Sequence, residues 1–189
     1  GEPELMDNYQ DEYNGGCNSL QFGAPFQDLC GTSDTTHLDF CGIGGWYVFS
    51  GSNYRDTDWF TVVLDDMGDG FIDCTIDAEQ PTLLFELFPQ DCGTVGVAQI
   101  AEVVTGCEPA SMTVFGAPGD LVWLWVGSSI FAAPPGFEGH EYDYLLTIDG
   151  LEPCIVRCCG DHVHGLAGND LGIIHWTGDC CCGISNIHD

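Results

Sequence analysis

Alternating residues predict a β-strand most clearly at residues 54–64, YRDTDWFTVVL. Two sets of alternate residues occupy the two faces of this strand: Trp59, Thr61 and Val63 on one, and Phe60, Val62 and Leu64 on the other. Aromatic and β-branched residues at a spacing of two are typical of a strand. Because both faces are largely apolar, we expect this strand to lie centrally in a sheet, inside a sandwich.

The same alternation predicts a series of further short strands. They lie at residues 37–41, 46–49, 71–77, 82–88, 95–105, 111–115, 121–126 and 141–149. Residues 42–45, GIGG, are expected to break the chain between the first two of these strands. Residues 95–105 also fit a short helix, but the all-β context favours a strand. Many short strands bounded by turn residues indicate an all-β fold.

The segment at residues 64–70, LDDMGDG, joins two predicted strands and allows two interpretations. Its Asp-Gly pair between alternating segments favours a β-hairpin. Against the template of a calcium-binding loop, Asp65 and Asp69 fit, whereas Met67 and Ile76 occupy positions that need an acid. We therefore predict a hairpin and keep a calcium site as the alternative. Its candidate ligands are Asp65, Asp69 and Asp73.

Four short segments carry a family resemblance. They are Asp56-Thr57-Asp58-Trp59-Phe60, Gly15-Gly16-Cys17-Asn18, residues 120–127 (DLVWLWVG) and residues 142–148 (YDYLLTI). Together they resemble the bacterial pre-peptidase C-terminal (PPC-like) domains, over residues 13–151. The resemblance implies a secreted, jelly-roll-like β-sandwich of the kind appended to exported proteins. It implies little about activity, because one fold hosts many functions.

The charge balance of the chain is extreme, with 30 acidic residues against 2 basic ones and a formal net charge of −28. Such a charge repels phosphate backbones and anionic membrane surfaces, so we expect neither nucleic acid nor a membrane as a partner. Self-repulsion should also destabilise the compact state unless salt or bound cations screen it. Calcium is the cofactor that this reasoning favours.

Acidic residues are crowded in the first 14 positions, GEPELMDNYQDEYN. We interpret residues 1–14 as a solvated N-terminal arm in front of a sandwich at residues 15–151. A calcium-binding segment and an arm that docks on a neighbouring molecule are the alternatives. The resemblance supports calcium, because collagen-binding relatives of the PPC-like family are calcium-dependent near their N-terminal end. The candidate ligands are Asp7, Asp11 and Glu12.

The chain contains 12 cysteines, which indicates disulfides formed in an oxidising compartment. Because no Cys-x-x-Cys pair is present, neither a zinc ribbon nor covalent haem is indicated. Cys92–Cys107 is the favoured single pair, since these residues flank one predicted element. The candidate disulfide cysteines are Cys17, Cys30, Cys41, Cys74, Cys92, Cys107, Cys154, Cys158, Cys159, Cys180, Cys181 and Cys182.

The C-terminal segment at residues 152–189 differs in kind from the rest, because it holds half of the cysteines and most of the histidines. We interpret it as a compact appendage held by its own disulfides. A transition-metal site is the alternative, since His162 and His164 share one face of an extended chain and His175 could join them. The expected fold is thus a disulfide-stapled, jelly-roll-like β-sandwich with a Cys/His-rich C-terminal appendage.

Several large side chains are candidates for ligand binding. Trp123 and Trp125 share one strand face, as in a sugar-stacking platform, although sandwich core or a packed interface is the commoner role. Phe131 and Phe137 lie in a Gly/Pro-rich loop and suggest a contact surface. Arg55, set among aspartates, is interpreted as half of a structural ion pair, with ligand binding as the alternative.

The function expected from the sequence is structural rather than enzymatic. The chain contains no Gly-x-Ser-x-Gly, no His-Glu-x-x-His and no phosphate-binding loop, and nothing indicates an organic cofactor. It begins at Gly1 without a hydrophobic leader, which we interpret as removal of a signal peptide. We expect a secreted subunit of an extracellular filament, sheath or surface layer that associates with itself. An extracellular carbohydrate- or matrix-binding module and a metal-binding appendage are the alternatives.

Overall fold

Two β-sheets packed face to face are built by residues 4–32, 35–135, 137 and 140–153, the part of the chain that the computed structural model describes. Ten strands follow one another: β1 (Gln27–Leu29), β2 (His37–Phe49), β3 (Ser52–Arg55), β4 (Thr57–Val63), β5 (Phe71–Ala78), β6 (Thr82–Phe88), β7 (Gly96–Val103), β8 (Ala110–Phe115), β9 (Leu121–Ser128) and β10 (Glu141–Asp149). The first sheet has the order β1-β4-β9-β6-β7, and the second β3-β2-β10-β5-β8. The predicted all-β sandwich is confirmed.

Most successive strands lie in opposite sheets, so the chain crosses between sheets more often than it turns back. Among the described strands, the hairpins are β2–β3 and β6–β7. The hairpin predicted at residues 64–70 is therefore wrong, because β4 belongs to the first sheet and β5 to the second. Both strands have an apolar inner face, and these faces bury each other across the sandwich. They carry Phe60 and Val62 on β4 and Ile72 and Ile76 on β5.

Strand β2 continues through residues 42–45, where the sequence predicts a break. It pairs with β10 along this stretch. The glycines leave room for tyrosine rings from β10, since a Cβ atom on Gly42 would lie 2.2 Å from Cζ of Tyr144. The glycine-rich segment is therefore a strand shaped to accept aromatic neighbours.

Strand β4 lies inside the first sheet and buries both of its faces, as its sequence predicts. Phe60 and Val62 face the second sheet and belong to the main core. On the opposite face, Trp59 forms a smaller cluster with Leu87 and Trp125, which we call the outer cluster. Partly buried aromatic side chains pack against the outer cluster: Phe26, Phe85 and Trp123.

The N-terminal segment, residues 4–32, covers the outer cluster. Its 3₁₀ helix, Gly16–Phe22, brings Cys17 against these aromatic side chains. Upstream of the helix, the carbonyl oxygen of Asn14 accepts a hydrogen bond of 2.8 Å from the backbone N–H of Trp59. Leu5 and Tyr9, within the arm predicted to be solvated, are instead buried. Residues 14–26 supply the layer that lets β4 bury its second face, since Cys17 and Phe26 pack against the outer cluster.

The cysteine pairing agrees with the prediction in part. Cys17 is disulfide-bonded to Cys92 in the β6–β7 loop, with a Cα–Cα distance of 5.2 Å. The predicted Cys92–Cys107 pair is therefore wrong, because the 3₁₀ helix carries Cys17 directly to the β6–β7 loop. Cys30 and Cys107 are also disulfide-bonded, as predicted.

Cys41 and Cys74, which the sequence analysis assigns to disulfides, carry free thiols in the described part of the chain. Cys74 projects from β5 into the inter-sheet core, where it is fully buried. Burial also raises the pKa of the Cys41 thiol, and the charges of Asp39 and Asp143 raise it further. Both environments disfavour the thiolate that disulfide formation requires.

Several predicted residues lie outside the described part of the chain. They are Cys154, Cys158, Cys159, Cys180, Cys181, Cys182, His162, His164 and His175. The predicted appendage and its metal-site alternative therefore stay predictions. Within the residues that are described, no helix combines the length and the hydropathy needed to cross a membrane.

Candidate functional site

A cleft of about 500 Å³ lies where the β2–β3 hairpin meets the N-terminal segment and β9. We call it the tyrosine cleft. A volume of this order suits a small ligand. Its main walls are formed by Tyr9, Tyr47, Tyr54, Arg55, Trp125 and Phe131.

The β2–β3 hairpin supplies the aromatic wall of the tyrosine cleft. Tyr47 and Tyr54 are cross-strand partners, and their rings stack with centroids 5.6 Å apart and an interplanar angle of 12°. Tyr9 and Phe49 pack edge-on against this stack, at 5.4 Å from Tyr47 and 6.2 Å from Tyr54 respectively. Gly51, with φ of 80°, turns the chain between the two strands. The hairpin therefore presents a preformed aromatic surface.

Arg55 is held between two aromatic rings at the floor of the tyrosine cleft. Its guanidinium carbon lies 4.8 Å from the ring centroid of Trp125 and 4.4 Å from that of Phe131. One of its N–H groups donates to the carbonyl oxygen of Ser128, and burial lowers its pKa. The expected ion pair with neighbouring aspartates is wrong, because the salt bridges within the described residues both involve His37. Arg55 instead contacts aromatic faces and a backbone carbonyl.

Two buried carboxylates flank the tyrosine cleft, those of Asp11 and Asp56. Burial, together with the charges of Asp56 and Asp11, raises the pKa of Tyr47 to about 12. Tyr47 therefore keeps its hydroxyl proton at neutral pH and can donate a hydrogen bond. The carboxylates can accept one.

A second cleft of about 570 Å³ lies on the other side of Asp56 and contains the fully buried carboxyl group of Asp58. Asp58 accepts hydrogen bonds from the side-chain amide of Asn14 and from the hydroxyl of Tyr144. Burial and the nearby charge of Asp11 together raise the pKa of Asp58 to about 7, although the two hydrogen bonds oppose the shift. The N-terminal segment, β4 and β10 thus meet at one buried acid.

Two oxygen atoms beside Asp58 lack a donor. Asp11 uses Oδ1 to accept from the backbone N–H groups of Tyr13 and Asn14, at 3.2 and 3.3 Å. Oδ2 of Asp11 and Oδ1 of Asn14 are buried and have no hydrogen-bond partner in the described part of the protein. Both residues are more than nine-tenths buried, at 8% and 6% exposure. Buried acceptors without donors are what an oxygen-seeking cation would satisfy.

The other candidate calcium ligands are placed differently. Oxygen atoms of Asp65, Asp66 and Glu152 lie within 4.8 Å of one another, and this group includes neither Asp69 nor Asp73. Within it, Glu152 Oε2 accepts from the backbone N–H of Asp66 at 3.0 Å. The remaining candidates lie apart: Asp73 accepts from Thr113, Asp7 accepts from the backbone of Val48, and Glu12 is exposed.

The four aromatic candidates have separate roles. Trp125 is 4% exposed in the outer cluster, and Trp123 is half-buried beside it, with its ring 4.6 Å from Phe26. Phe137 packs edge-on against Trp46 at 5.1 Å. Phe131 is exposed and lines the tyrosine cleft. The two tryptophans therefore form packing rather than an open stacking platform.

Tyr47 and Tyr54, the central residues of the tyrosine cleft, are not among the residues that the sequence singles out as candidates. Each belongs to a segment whose pairing depends on the turn at Ser50-Gly51. Each tyrosine lies three residues from the Ser50-Gly51 pair, one on either side. If Ser50-Gly51 is taken as the turn of a hairpin, this spacing predicts that the two tyrosines are in contact.

Comparisons with known proteins leave the family of this chain open. No protein-family model matches the sequence, and no curated protein matches it. The structure is similar to PliG of Aeromonas hydrophila, a periplasmic inhibitor of g-type lysozyme, at 12% identity and a TM-score of 0.45, covering 66% of this chain and 94% of PliG. It is also similar to a protein of the Bacillus endospore appendages, which form disulfide-linked pili, at 14% identity and a TM-score of 0.29, covering 66% of this chain and 96% of that one. At these TM-scores neither carries an argument about function, and the resemblance to PPC-like domains stays a prediction.

Proposed function

We propose that this protein is a secreted, non-enzymatic structural subunit that associates with copies of itself through the free edge of β7 to build an extracellular filament, sheath or surface layer. The Cys17–Cys92 disulfide supports secretion, since disulfides persist in oxidising compartments. The absence of catalytic motifs from the sequence supports a non-enzymatic role. The observation that carries the proposal is the character of the β7 edge.

Strand β7 is an edge strand with little protection. It lies at the end of the first sheet and, within the described residues, pairs on one side with β6. Its sequence, GVAQIAEV, contains no proline and one charged residue, Glu102. Val97 and Ile100 are more than half exposed. Natural proteins usually block such edges with charge, proline or a bulge, and the irregularity in β7 affects its start, before Gln99.

The charge distribution favours contact at this edge. A molecule with a net charge of −28 repels its own copies over most of its surface. The neighbouring edge strand of the second sheet, β8, contains no charged residue. Copies can therefore approach at the β7–β8 side with less repulsion than at the acidic parts of the surface. Backbone N–H and C=O groups of β7 would then pair with a strand of the next copy, and a head-to-tail arrangement would propagate.

The experiment is negative-stain electron microscopy and light scattering of the native protein and of Ile100→Lys. The wild type is expected to form regular assemblies, and Ile100→Lys to reduce them to single particles, because a charge on an edge strand opposes edge-to-edge pairing. Met67→Lys is the matched control, since Met67 is 88% exposed in the β4–β5 loop and is expected to leave assembly unchanged. Single wild-type particles under all conditions, or assemblies unaffected by Ile100→Lys, would contradict the proposal.

We also propose that the subunit binds a divalent cation, calcium. The support is the pair of buried acceptors, Asp11 Oδ2 and Asn14 Oδ1, that lack donors beside the carboxyl group of Asp58. Carboxylate and amide oxygens are the ligands that calcium prefers. A cation at this point would bind the N-terminal segment to β4 and would neutralise buried charge that no Lys or Arg contacts within the described residues.

A further inference from the structure

We infer that the tyrosine cleft is a binding site for a neutral saccharide. The site is separate from the β7 edge, and the inference goes beyond self-association. Three features of the cleft support a saccharide: a preformed aromatic surface, exposed amide side chains in the lining, and fixed charges that disfavour anions.

The aromatic surface offers a sugar ring the partly exposed side chain of Tyr54. The Tyr47–Tyr54 stack is rigid, because the two residues are cross-strand partners and Tyr9 supports the ring of Tyr47 from the side. Tyr54 remains 41% exposed. Tyrosine presents an apolar ring face together with a hydroxyl group at its edge. A pyranose can place its C–H face on such a ring while its hydroxyl groups remain free for hydrogen bonds.

Amide side chains also line the tyrosine cleft. Gln10, Asn18 and Gln21 line it and are exposed. Asn18 is oriented by donating a hydrogen bond of 3.0 Å from Nδ2 to Oγ1 of Thr57. An amide group offers both donors and an acceptor, which matches the mixed demand of vicinal hydroxyl groups. The polar wall therefore suits a ligand rich in hydroxyls.

The fixed charges of the cleft disfavour an anionic ligand. Asp11 and Asp56 are buried at the cleft, and the molecule as a whole is strongly acidic, so an anion is repelled. The guanidinium group of Arg55 already occupies the faces of Trp125 and Phe131, so a cationic ligand cannot stack on the aromatic floor. A neutral polar ligand is not repelled and does not need that floor. Because saccharides combine neutrality with stacking and multiple hydroxyls, they fit this cleft.

The experiment uses the native full chain on an array of neutral gluco-, manno- and chito-oligosaccharides, with uronic-acid oligosaccharides and a lysine-rich peptide as probes of charge. Binding to at least one neutral oligosaccharide is expected. It is then measured by tryptophan fluorescence, since Trp125 lines the cleft. Tyr54→Ala and Gln21→Ala, both at exposed positions, are expected to weaken binding, the tyrosine change by about tenfold or more. The melting temperature reports whether each variant folds.

Phe88→Ala is the matched control, because Phe88 is 62% exposed and does not line the cleft. It should leave saccharide binding unchanged. The inference is overturned if no neutral oligosaccharide binds, if only the acidic or the lysine-rich probe binds, or if folded Tyr54→Ala and Gln21→Ala both bind as the wild type does. Ile100→Lys is expected to retain saccharide binding, so the failure of one proposal does not imply failure of the other.

Discussion

His37 lies between two carboxylates on the exposed face of the second sheet. Its Nδ1 is 2.7 Å from Asp149 Oδ1, and its Nε2 is 3.3 Å from Asp39 Oδ2. The hydrogen bond with Asp149 and the contact with Asp39 raise the pKa of His37 above its ordinary value of 6.5. Protonated His37 therefore stabilises the folded state. This stabilisation is present in full below the pKa of His37 in the unfolded chain. It is lost as the pH rises through the raised pKa of His37 in the folded protein.

The change His37→Gln should therefore destabilise the protein in a pH-dependent way. We expect the free energy of unfolding to fall by a few tenths to about 1 kcal/mol at a pH just below 6.5, the usual range for exposed ion pairs, and by less at a pH well above the raised pKa of His37. Thermal melts of both proteins between these pH values measure the difference. His140→Gln is the control, because His140 Nδ1 lies 3.2 Å from the carbonyl oxygen of Trp46. An equal loss at both ends of the pH range would contradict the prediction.

The 3₁₀ helix and the β6–β7 loop are joined by the Cys17–Cys92 disulfide, which holds the N-terminal segment over the outer cluster. Replacing both cysteines with serine removes this link and should lower the free energy of unfolding by about 2–5 kcal/mol. Trp59 and Trp125 lie beneath the segment. We therefore also expect their fluorescence to shift to longer wavelength before global unfolding, as the cover opens.

Cys41→Ser provides the control for this prediction, because Cys41 carries a free, half-buried thiol. It should change the melting temperature little and should leave the fluorescence transition single. If the double serine variant melts as the wild type does, the disulfide does not hold the segment in place.

Strands were predictable at the level of the element because alternation is a local property of the sequence. The alternation from Trp59 and Phe60 onwards predicts both apolar faces of β4 correctly. It does not predict the crossing after β4, since Asp-Gly in residues 64–70 signals a turn without specifying which sheet receives the next strand. Gly42 resembles a strand breaker in the sequence, because the ring of Tyr144 that it accommodates lies about a hundred residues away along the chain.

The candidate site was less predictable than the fold. Asp11 was proposed as a ligand from the crowding of acids, and the structure places it beside Asp58 with an oxygen lacking a donor. Nothing in the sequence indicates Asn14 as a ligand. The tyrosine cleft arises from a hairpin, a helix and a loop that are remote in sequence, so no local motif marks it. The cysteine pairing failed for the same reason, because Cys17 and Cys92 are 75 residues apart.

At the scale of the whole molecule, the net charge of −28 makes stability sensitive to cations. If calcium binds beside Asp58, it should raise the melting temperature at constant ionic strength. Stabilisation by a ligand at a hundredfold excess over its Kd is about 2.7 kcal/mol, which corresponds to several degrees in a protein of this size. Differential scanning calorimetry with millimolar CaCl₂ or a chelator measures it. Asp58→Asn should abolish most of the increase.

Asp69→Asn is the charge-matched control, since Asp69 is exposed in the β4–β5 loop. It should retain the response of the wild type to calcium. NaCl at matched ionic strength separates binding from general screening. A rise of equal size in NaCl, or an unchanged response in Asp58→Asn, would mean that the buried acceptors do not hold the cation.

The Cys17–Cys92 link also determines how the molecule would carry a mechanical load. The covalent loop that it closes contains β1 to β6, whereas β7 to β10 lie outside it. Under tension along the chain, the sulfur–sulfur bond fixes the separation of residues 17 and 92. The six strands inside the loop therefore could not be drawn out to their full length. In a pulled assembly, extension would therefore stop well short of the full contour length of the chain as long as the disulfide remained oxidised.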